Sequence, residues 1–534
     1  MSNSPSFLRI PPFPSVKGRS LAVPGATSTP TDSELDRIID RIRTLRVGGA
    51  YWADQPDLPE EPYTVVRSRD HRARAEAVAA SKRPVLAAKG GDQAHDPWHL
   101  VSRAVEVVVD SGDELALVAA IAGVKVRCIG NGPFSGLESG DQAALRGAFL
   151  SATAGTYRSP FTTEPMDLAE AVELCAFWRR LIDSNRGITA AVGFAFWKRA
   201  TVAPLLWAGQ GAVPFTSSVP YPSADNCVAV WKSRADAGTL QELERSPARL
   251  VEVEDGFIRS AGLGADCVPP LSIVVDRLGI YFDPHRPSDL ECLLENGDFP
   301  AGLLERAGRL RNLIVESGIS KYAVDTRRVE RPSDGRLRLL VPGQVEDDRA
   351  VMEGAGPRTN RELLRRVRDA NPDAYILYKP HPDVEAGHRV GAIAEDTCLE
   401  LANEVLRETS ISAAIALVDE IHVNSSLAGF EALLRGRPVT TYGVPFYAGW
   451  GLTHDLGPVP ERRTARRTLD ELVAAALLLY PRYLDPVTNL PCPPEILIRR
   501  LSETQTGRTP GAIVRLRRLQ GRWNRAVSAL RARA

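Results

Sequence analysis

Along most of its length this chain alternates between two patterns. Apolar runs of four to six residues, the length of a strand, are followed by stretches whose apolar positions recur at helical spacing. After Gly187 the runs fall at 188–192, 211–215, 228–231, 249–253 and 271–276. A further run at 279–282 lies close enough to 271–276 to predict a short hairpin across Arg277-Leu278, and helices are predicted at 289–295 and 303–317. A second series opens at 337–341 and continues at 374–378 and 420–423, interleaved with predicted helices at 359–370, 398–409 and 427–435. Thr359 with Glu362 three residues on is a capping-box pattern. Such alternation predicts parallel sheets with right-handed crossovers, and two series in succession predict two Rossmann-type units facing a cleft.

The same order occurs once earlier. Residues 105–134 (VEVVVDSGDELALVAAIAGVKVRCIGNGPF) align with EIHVNSSLAGFEALLRGRPVTTYGVPFY at an offset near 313, so that Gly123 falls on Gly436 and Gly130 on Gly443. Tyr157-Arg158-Ser159-Pro160 resembles Tyr483-Leu484-Asp485-Pro486, while Ser111-Gly112 stands where the later copy has Ser425-Ser426. The expected organisation follows. Residues 1–79 are an N-terminal extension, Pro/Ser-rich over the first 30 and partly disordered; 80–186 are a degenerate Rossmann-like copy of the C-terminal unit. Residues 187–335 are an acceptor-side unit ending in the linker Arg331-Pro332-Ser333-Asp334-Gly335, and 336–505 a donor-side unit. Residues 506–534 are a basic tail with eight Arg, no acid, and Leu, Val and Trp523 at helical spacing. That tail suits either packing on a domain or lying on anionic lipid.

Composition narrows the class. At 534 residues the chain exceeds one core, and a formal net charge of zero with 25% charged residues argues against bulk nucleic-acid binding. No run approaches the roughly 18–20 apolar residues of a spanning helix. The N-terminus has Pro and charge where a signal peptide needs an apolar core, so a cytoplasmic location is expected. The seven Cys are scattered without CxxC spacing, which predicts neither a disulfide framework nor a zinc site.

Three strand ends carry the candidate chemistry. The run 249–253 delivers Glu254-Asp255-Gly256, two adjacent carboxylates meeting a glycine free to turn, with Arg259 placed to pair with an acid or an anionic ligand. A carboxylate there could serve as nucleophile or general base, although a solvated turn is the plainer alternative. The run 374–378 enters Lys379-Pro380-His381-Pro382, where flanking prolines fix the backbone and His beside Lys offers two donors to a phosphate; the alternative is a rigid surface turn. The run 420–423 enters Ser425-Ser426 at a helix start, an anion site by its hydroxyls and free backbone N–H groups, or an ordinary cap. Gln344 ends the run at 337–341. Asp347-Asp348 is the one candidate for a metal, and it reads better as a loop that closes on ligand. No metal and no cofactor are expected.

Glu-Asp-Gly, His-Pro and Ser-Ser, in that order on two α/β units, resemble bacterial GT-B glycosyltransferases that use CMP-activated sugar acids. EDGFIRSAGLGADCVPPLSIVVDRLGIYFDP, VPGQVEDD, NPDAYILYKPHPDVEAG and SLAGFEALLRGRPVTTYGVPFYAGWGL resemble more closely the capsular polysaccharide β-Kdo transferases, over roughly residues 187–505. The expected fold is thus α/β: a GT-B-like pair of Rossmann-type units facing a cleft, preceded by a degenerate α/β repeat. The resemblance implies transfer of Kdo from CMP-β-Kdo to a phospholipid-linked glycan, with net retention and no metal. It implies partners at the inner-membrane surface and in capsule assembly. Carried over, Asp255 and Glu254 with His381 would be catalytic. His381, Lys379, Ser425, Ser426, Gln344 and Arg259 would hold the donor, and Gly193 and Lys198, in GFAFWKR, would face the acceptor. A sialic-acid or other nonulosonate transferase, and a scaffold of an assembly complex that has lost turnover, are the alternatives.

Overall fold

The computed structural model describes residues 7–25, 30–89, 95–217, 223–224, 226–260, 268–319, 335–387, 389–407 and 409–503. The expected tail at 506–534, and the linker at 331–335 apart from Gly335, lie outside them. The described chain forms two compact units. The first holds residues up to Ile188 with Leu206–Val213 and Val487–Leu490, and the second holds the remainder.

The first unit is built on a four-stranded parallel sheet of Tyr63–Ser68, Val85–Lys89, Ala104–Asp110 and Lys125–Ile129. Its strands lie in the order second, first, third, fourth. An antiparallel pair, Thr156–Arg158 with Pro165–Met166, registers Tyr157 against Met166. Its central strand, Tyr63–Ser68, shows that this copy begins before residue 80. Nor is the N-terminal segment loose where it is described: Phe7, Leu8, Ile10 and Phe13 are all buried, and Phe7 N donates to Ala152 O at 3.2 Å. Four large apolar side chains in seven residues outweigh the Pro/Ser composition around them, because burying each contributes roughly 1.5–3 kcal/mol.

The second unit contains two sheets. One has six parallel strands in the order Glu404–Val405, Tyr375–Lys379, Arg338–Pro342, Glu420–Val423, Val439–Thr441, His454–Asp455. Without its two-residue edge strands, its order is again second, first, third, fourth, so the repeat read in the sequence is also a repeat of topology. The other sheet runs Phe215–Thr216, Ile188–Val192, Cys227–Val230, Arg249–Asp255, Ser272–Asp276, Pro481–Leu484, Pro491–Cys492. Its last two strands come from beyond the six-stranded sheet, so the chain of the unit expected at 336–505 leaves that sheet before Pro481. The crossing back is sealed by antiparallel pairing of Ser272 with Tyr483. These are the α/β layers of a GT-B fold.

The hairpin expected across Arg277-Leu278 does not form. Ser272–Asp276 pairs instead with Arg249–Asp255, and the Asp276 carboxylate accepts the N–H groups of Leu278, Gly279 and Asp289 and the Tyr480 hydroxyl. A side chain that satisfies three local backbone donors competes successfully with a second strand. The helix expected at 398–409 is likewise replaced by a helix over Glu395–Leu399 and the short strand Glu404–Val405.

Candidate functional site

Successive residues of a strand point to opposite faces, and the strand Arg249–Asp255 uses this to separate its acids. Glu252 and Glu254 share one face. Glu252 meets Lys232 Nζ at 2.7 Å and Arg349 Nη1 at 2.5 Å, and Glu254 lies 3.8 Å from the same Arg349 nitrogen. Asp255 turns to the other face, where Lys198 Nζ approaches Oδ1 at 3.2 Å and Arg259 Nε approaches Oδ2 at 2.8 Å. Burial pushes the Glu254 carboxyl up to about 7 against the opposing pull of Lys198, so near neutral pH it can give or take a proton.

Gly256 follows, and its lack of a side chain serves a close approach: a Cβ there would lie 2.3 Å from Ser272 Oγ. The freedom to turn expected of this glycine is not what the site uses. Phe257 then anchors the turn, stacked on Phe446 with ring centroids 4.6 Å apart and packed against Tyr281 at 4.8 Å.

A cavity of about 260 Å³ lies at the carboxyl ends of the six-stranded sheet's strands and brings together Gln344, Lys379, His381, Ser425 and Ser426, with Tyr281, Phe282 and Phe446 as an aromatic wall. Lys379 is buried, which lowers its pKa, with Glu385 at 3.9 Å opposing the shift. His381 caps the helix Pro382–Glu385, its Nδ1 accepting the Asp383 N–H at 3.1 Å. That contact assigns the proton of the neutral ring to Nε2, which makes this nitrogen a donor. Gly343 lets the loop pass over Tyr378, whose hydroxyl would lie 2.5 Å from a Cβ.

The serine pair differs from expectation in how it is occupied. Gln344 grips Ser425, its Oε1 accepting the Ser425 N–H at 3.0 Å and its Nε2 donating to Ser425 Oγ at 3.1 Å. Ser425 Oγ in turn donates to Ala350 O at 2.7 Å, and Ser426 Oγ caps the helix Leu427–Leu434 through the Ala428 N–H. Gln344 and Ser425 therefore lace the cavity floor, and Ser426 fixes the helix whose N-terminus faces it. Asp347 and Asp348 are spent on Arg389 at 3.1 Å and on the cap of the helix Arg349–Met352. Among the described residues no group of three or more His, Cys, Asp or Glu is arranged to hold a metal ion.

The two residues expected on the acceptor side stand close to Asp255 and Trp231. Lys198, in the first turn of the helix Phe196–Leu206, is buried against Asp255 and lies 3.2 Å above the centre of the Trp231 ring. Gly193, at φ 81°, lets its backbone pass the Trp231 carbonyl, which a Cβ would approach to 2.6 Å. Sequence reasoning gave neither Arg349 nor Trp231 a role in the site. Arg349 links the two clusters, lying 5.1 Å over the Phe282 ring while it holds Glu252. Its one sequence signal is a lone cation directly after two acids. Trp231 was visible only as an aromatic closing a strand.

At the corresponding edge of the first unit, Arg67 pairs with Asp113 and Ser68 donates to Asp110. These side chains are engaged with one another where the second unit leaves a cavity.

Residues 226–483 match the family described as capsule polysaccharide biosynthesis protein. The chain is 41% identical over 355 residues to the capsule polysaccharide modification protein LipA of Neisseria meningitidis serogroup A, an alignment covering 64% of this chain and 50% of LipA. It is 46% identical over 244 residues to the lipopolysaccharide-processing protein LpsZ of Rhizobium meliloti, covering 45% of this chain and 55% of LpsZ. The chain thus spans about half the length of these curated relatives. Among solved structures, the β-Kdo 2,4 transferase of Thermosulfurimonas dismutans KpsC is 35% identical with a TM-score of 0.52, covering 59% of this chain and 98% of that one.

Proposed function

This chain belongs to the capsular Kdo transferase family, and from that premise we propose that it transfers Kdo from CMP-β-Kdo to a lipid-linked glycan in capsular polysaccharide synthesis and export. The observation that carries the reading is a carboxylate held between two cations, Asp255 with Lys198 and Arg259, on the strand that Arg349 ties to a cavity lined by Lys379 and His381.

In the proposed reaction the CMP phosphate lies in that cavity, with Lys379 and His381 Nε2–H as donors and the helix Leu427–Leu434 directing its N-terminus at the anion. An Asp255 oxygen attacks the anomeric carbon, the bond to the phosphate oxygen breaks, and CMP departs with the electron pair. The acceptor hydroxyl then attacks the same carbon, loses its proton to Glu254, and expels the Asp255 carboxylate. Two inversions give net retention. Stabilising charge on departing CMP is the largest expected catalytic contribution, and the residues named supply it without a metal. We place the enzyme in the cytoplasm, with the basic tail as its attachment to the inner membrane beside the lipid acceptor and the capsule assembly proteins; no helix among the described residues is long and apolar enough to cross a membrane.

The test is to incubate the protein with a Kdo-terminated glycolipid and either CMP-Kdo or CMP-sialic acid, and to read product mass and anomeric configuration. A β-Kdo product from CMP-Kdo supports the reading. Transfer from CMP-sialic acid alone assigns another nonulosonate, and no transfer from either assigns a scaffold role. Asp255→Asn should abolish transfer by orders of magnitude while the protein still folds and binds CMP. Near-normal turnover would move the chemistry to another group.

A further inference from the structure

Two cations, Lys198 and Arg259, contact the single carboxylate of Asp255, and Glu254 beside it carries a proton for part of the time near neutral pH. The two cations are not equivalent. Arg259 is fully buried and commits its guanidinium to Asp255 Oδ2 at 2.8 Å, Ser260 Oγ at 2.7 Å and Val268 O at 2.7 Å. It is a fixed strut.

Lys198 is committed far less. An ammonium has three N–H donors. Among the described residues, its hydrogen-bond acceptor is Asp255 Oδ1 at 3.2 Å, and the Trp231 face at 3.2 Å takes the charge from the other side. The Lys198 residue is 6% exposed, so water does little to complete its shell. Burial is the largest cause of its lowered pKa, opposed by Asp255 and Glu254 and reinforced by Arg259. A desolvated ammonium with spare donors, next to the attacking carboxylate, is suited to a second anion.

The donor class read above supplies one. In an activated 2-keto sugar acid the anomeric carbon itself bears a carboxylate, so a nucleophilic Asp255 must approach a like charge one bond from the atom it attacks. A cation placed between the two turns that repulsion into attraction. We propose that Lys198 binds the donor's carboxylate, bridging it to Asp255, and thereby selects donors whose reacting carbon carries a carboxylate. Trp231 is the positioning residue that holds the ammonium from behind, and Gly193 lets the chain pass close to the Trp231 backbone carbonyl. This rests on the transferase reading but adds to it, because the phosphate-side residues Lys379 and His381 do not distinguish a sugar acid from a neutral sugar.

The test compares CMP-Kdo with its carboxamide analogue, measuring CMP release in the presence of the Kdo-terminated glycolipid. Wild-type protein should prefer the acid by roughly 100-fold or more in kcat/KM, the discrimination expected when a buried charged group loses its partner. Lys198→Gln should slow the acid and bring the ratio within a few-fold of one, and Lys198→Arg should keep much of the preference. Wild type also provides a reading independent of any variant. The acid-to-amide ratio should fall as pH rises and Lys198 loses its proton, because Lys379 and the other phosphate groups act on both donors alike. A ratio unchanged in Lys198→Gln, or flat with pH in wild type, overturns the proposal and leaves the transferase reading standing. If wild type releases CMP from neither donor, the transferase reading itself fails.

Discussion

Glu254 and Asp255 are neighbours with different surroundings, and the roles proposed for them separate on that basis. Asp255 has two cations at hydrogen-bond distance, whereas burial raises the Glu254 carboxyl to about 7. If Glu254 takes the acceptor's proton, wild-type activity rises with pH through about 7, and Glu254→Gln shows a slow rate without that acid limb. Stability moves the other way. The folded pKa of about 7 lies above the ordinary 4.5, so the stabilisation it brings is fully present below about 4.5 and is lost as pH rises through about 7. Glu254→Gln should therefore gain thermal stability relative to wild type at pH 8 and not at pH 4. A pH series of unfolding midpoints checks this. If His381 holds the CMP phosphate as proposed, His381→Ala removes one charge-assisted hydrogen bond of about 1.5–3 kcal/mol, and CMP should bind roughly 10- to 150-fold more weakly by calorimetry. Binding unchanged in that variant would remove His381 from the phosphate site.

The elements that present these groups are held by contacts that do no chemistry. Phe257 packs on Phe446, Tyr281 and Phe430 and is 4% exposed, so it pins the turn after Asp255 to the six-stranded sheet's half of the unit. Phe257→Ala should cost about 3–5 kcal/mol in denaturant unfolding. Activity should fall further than the folded fraction does, because the turn that aims Asp255 loosens. Gln344→Ala removes both contacts to Ser425 and leaves a backbone N–H unmatched. A loss of about 1–3 kcal/mol is expected, together with weaker CMP binding although Gln344 need not touch the nucleotide. Equal CMP affinity in that variant would show that the cavity floor does not depend on this lacing.

At the scale of the molecule, the first unit contains pieces of chain from beyond residue 188. Trp207 lies within it, 4% exposed, with its ring centroid 4.9 Å from that of Phe13 and its carbonyl accepting from Asn185 Nδ2 at 3.0 Å. Removing residues 1–186 strips Trp207 of these partners. The shortened protein should be less soluble and unfold at lower temperature than the full chain, even though every proposed site residue is retained. A truncated protein that melts with the full chain's midpoint would show the first unit to be dispensable for stability.

Periodicity and strand-end chemistry were legible in the amino-acid order. They located most strands of the parallel sheets, the later half of the repeat in the first unit, and the turns carrying Asp255, Lys379-His381 and Ser425-Ser426, but not the central strand Tyr63–Ser68. Those features are local: side-chain alternation, capping and glycine placement act within a few residues of themselves. What each group touches was decided by the tertiary structure. Lys198 reads as an acceptor-side residue until the strand Arg249–Asp255 is laid beside its helix, 57 residues away in sequence, and Ser425 reads as a free hydroxyl until Gln344 reaches it from 81 residues away. Arg349 gave almost no signal, because an arginine that joins two clusters looks in sequence like any surface cation. The Asp276 turn displaced a hairpin that alternation favoured, and the strand Pro481–Leu484 returned to a sheet that its neighbours in sequence had left. Such outcomes depend on which strands become adjacent. Adjacency is set by the burial and hydrogen-bond satisfaction of the whole sheet, a sum that no short window of residues contains.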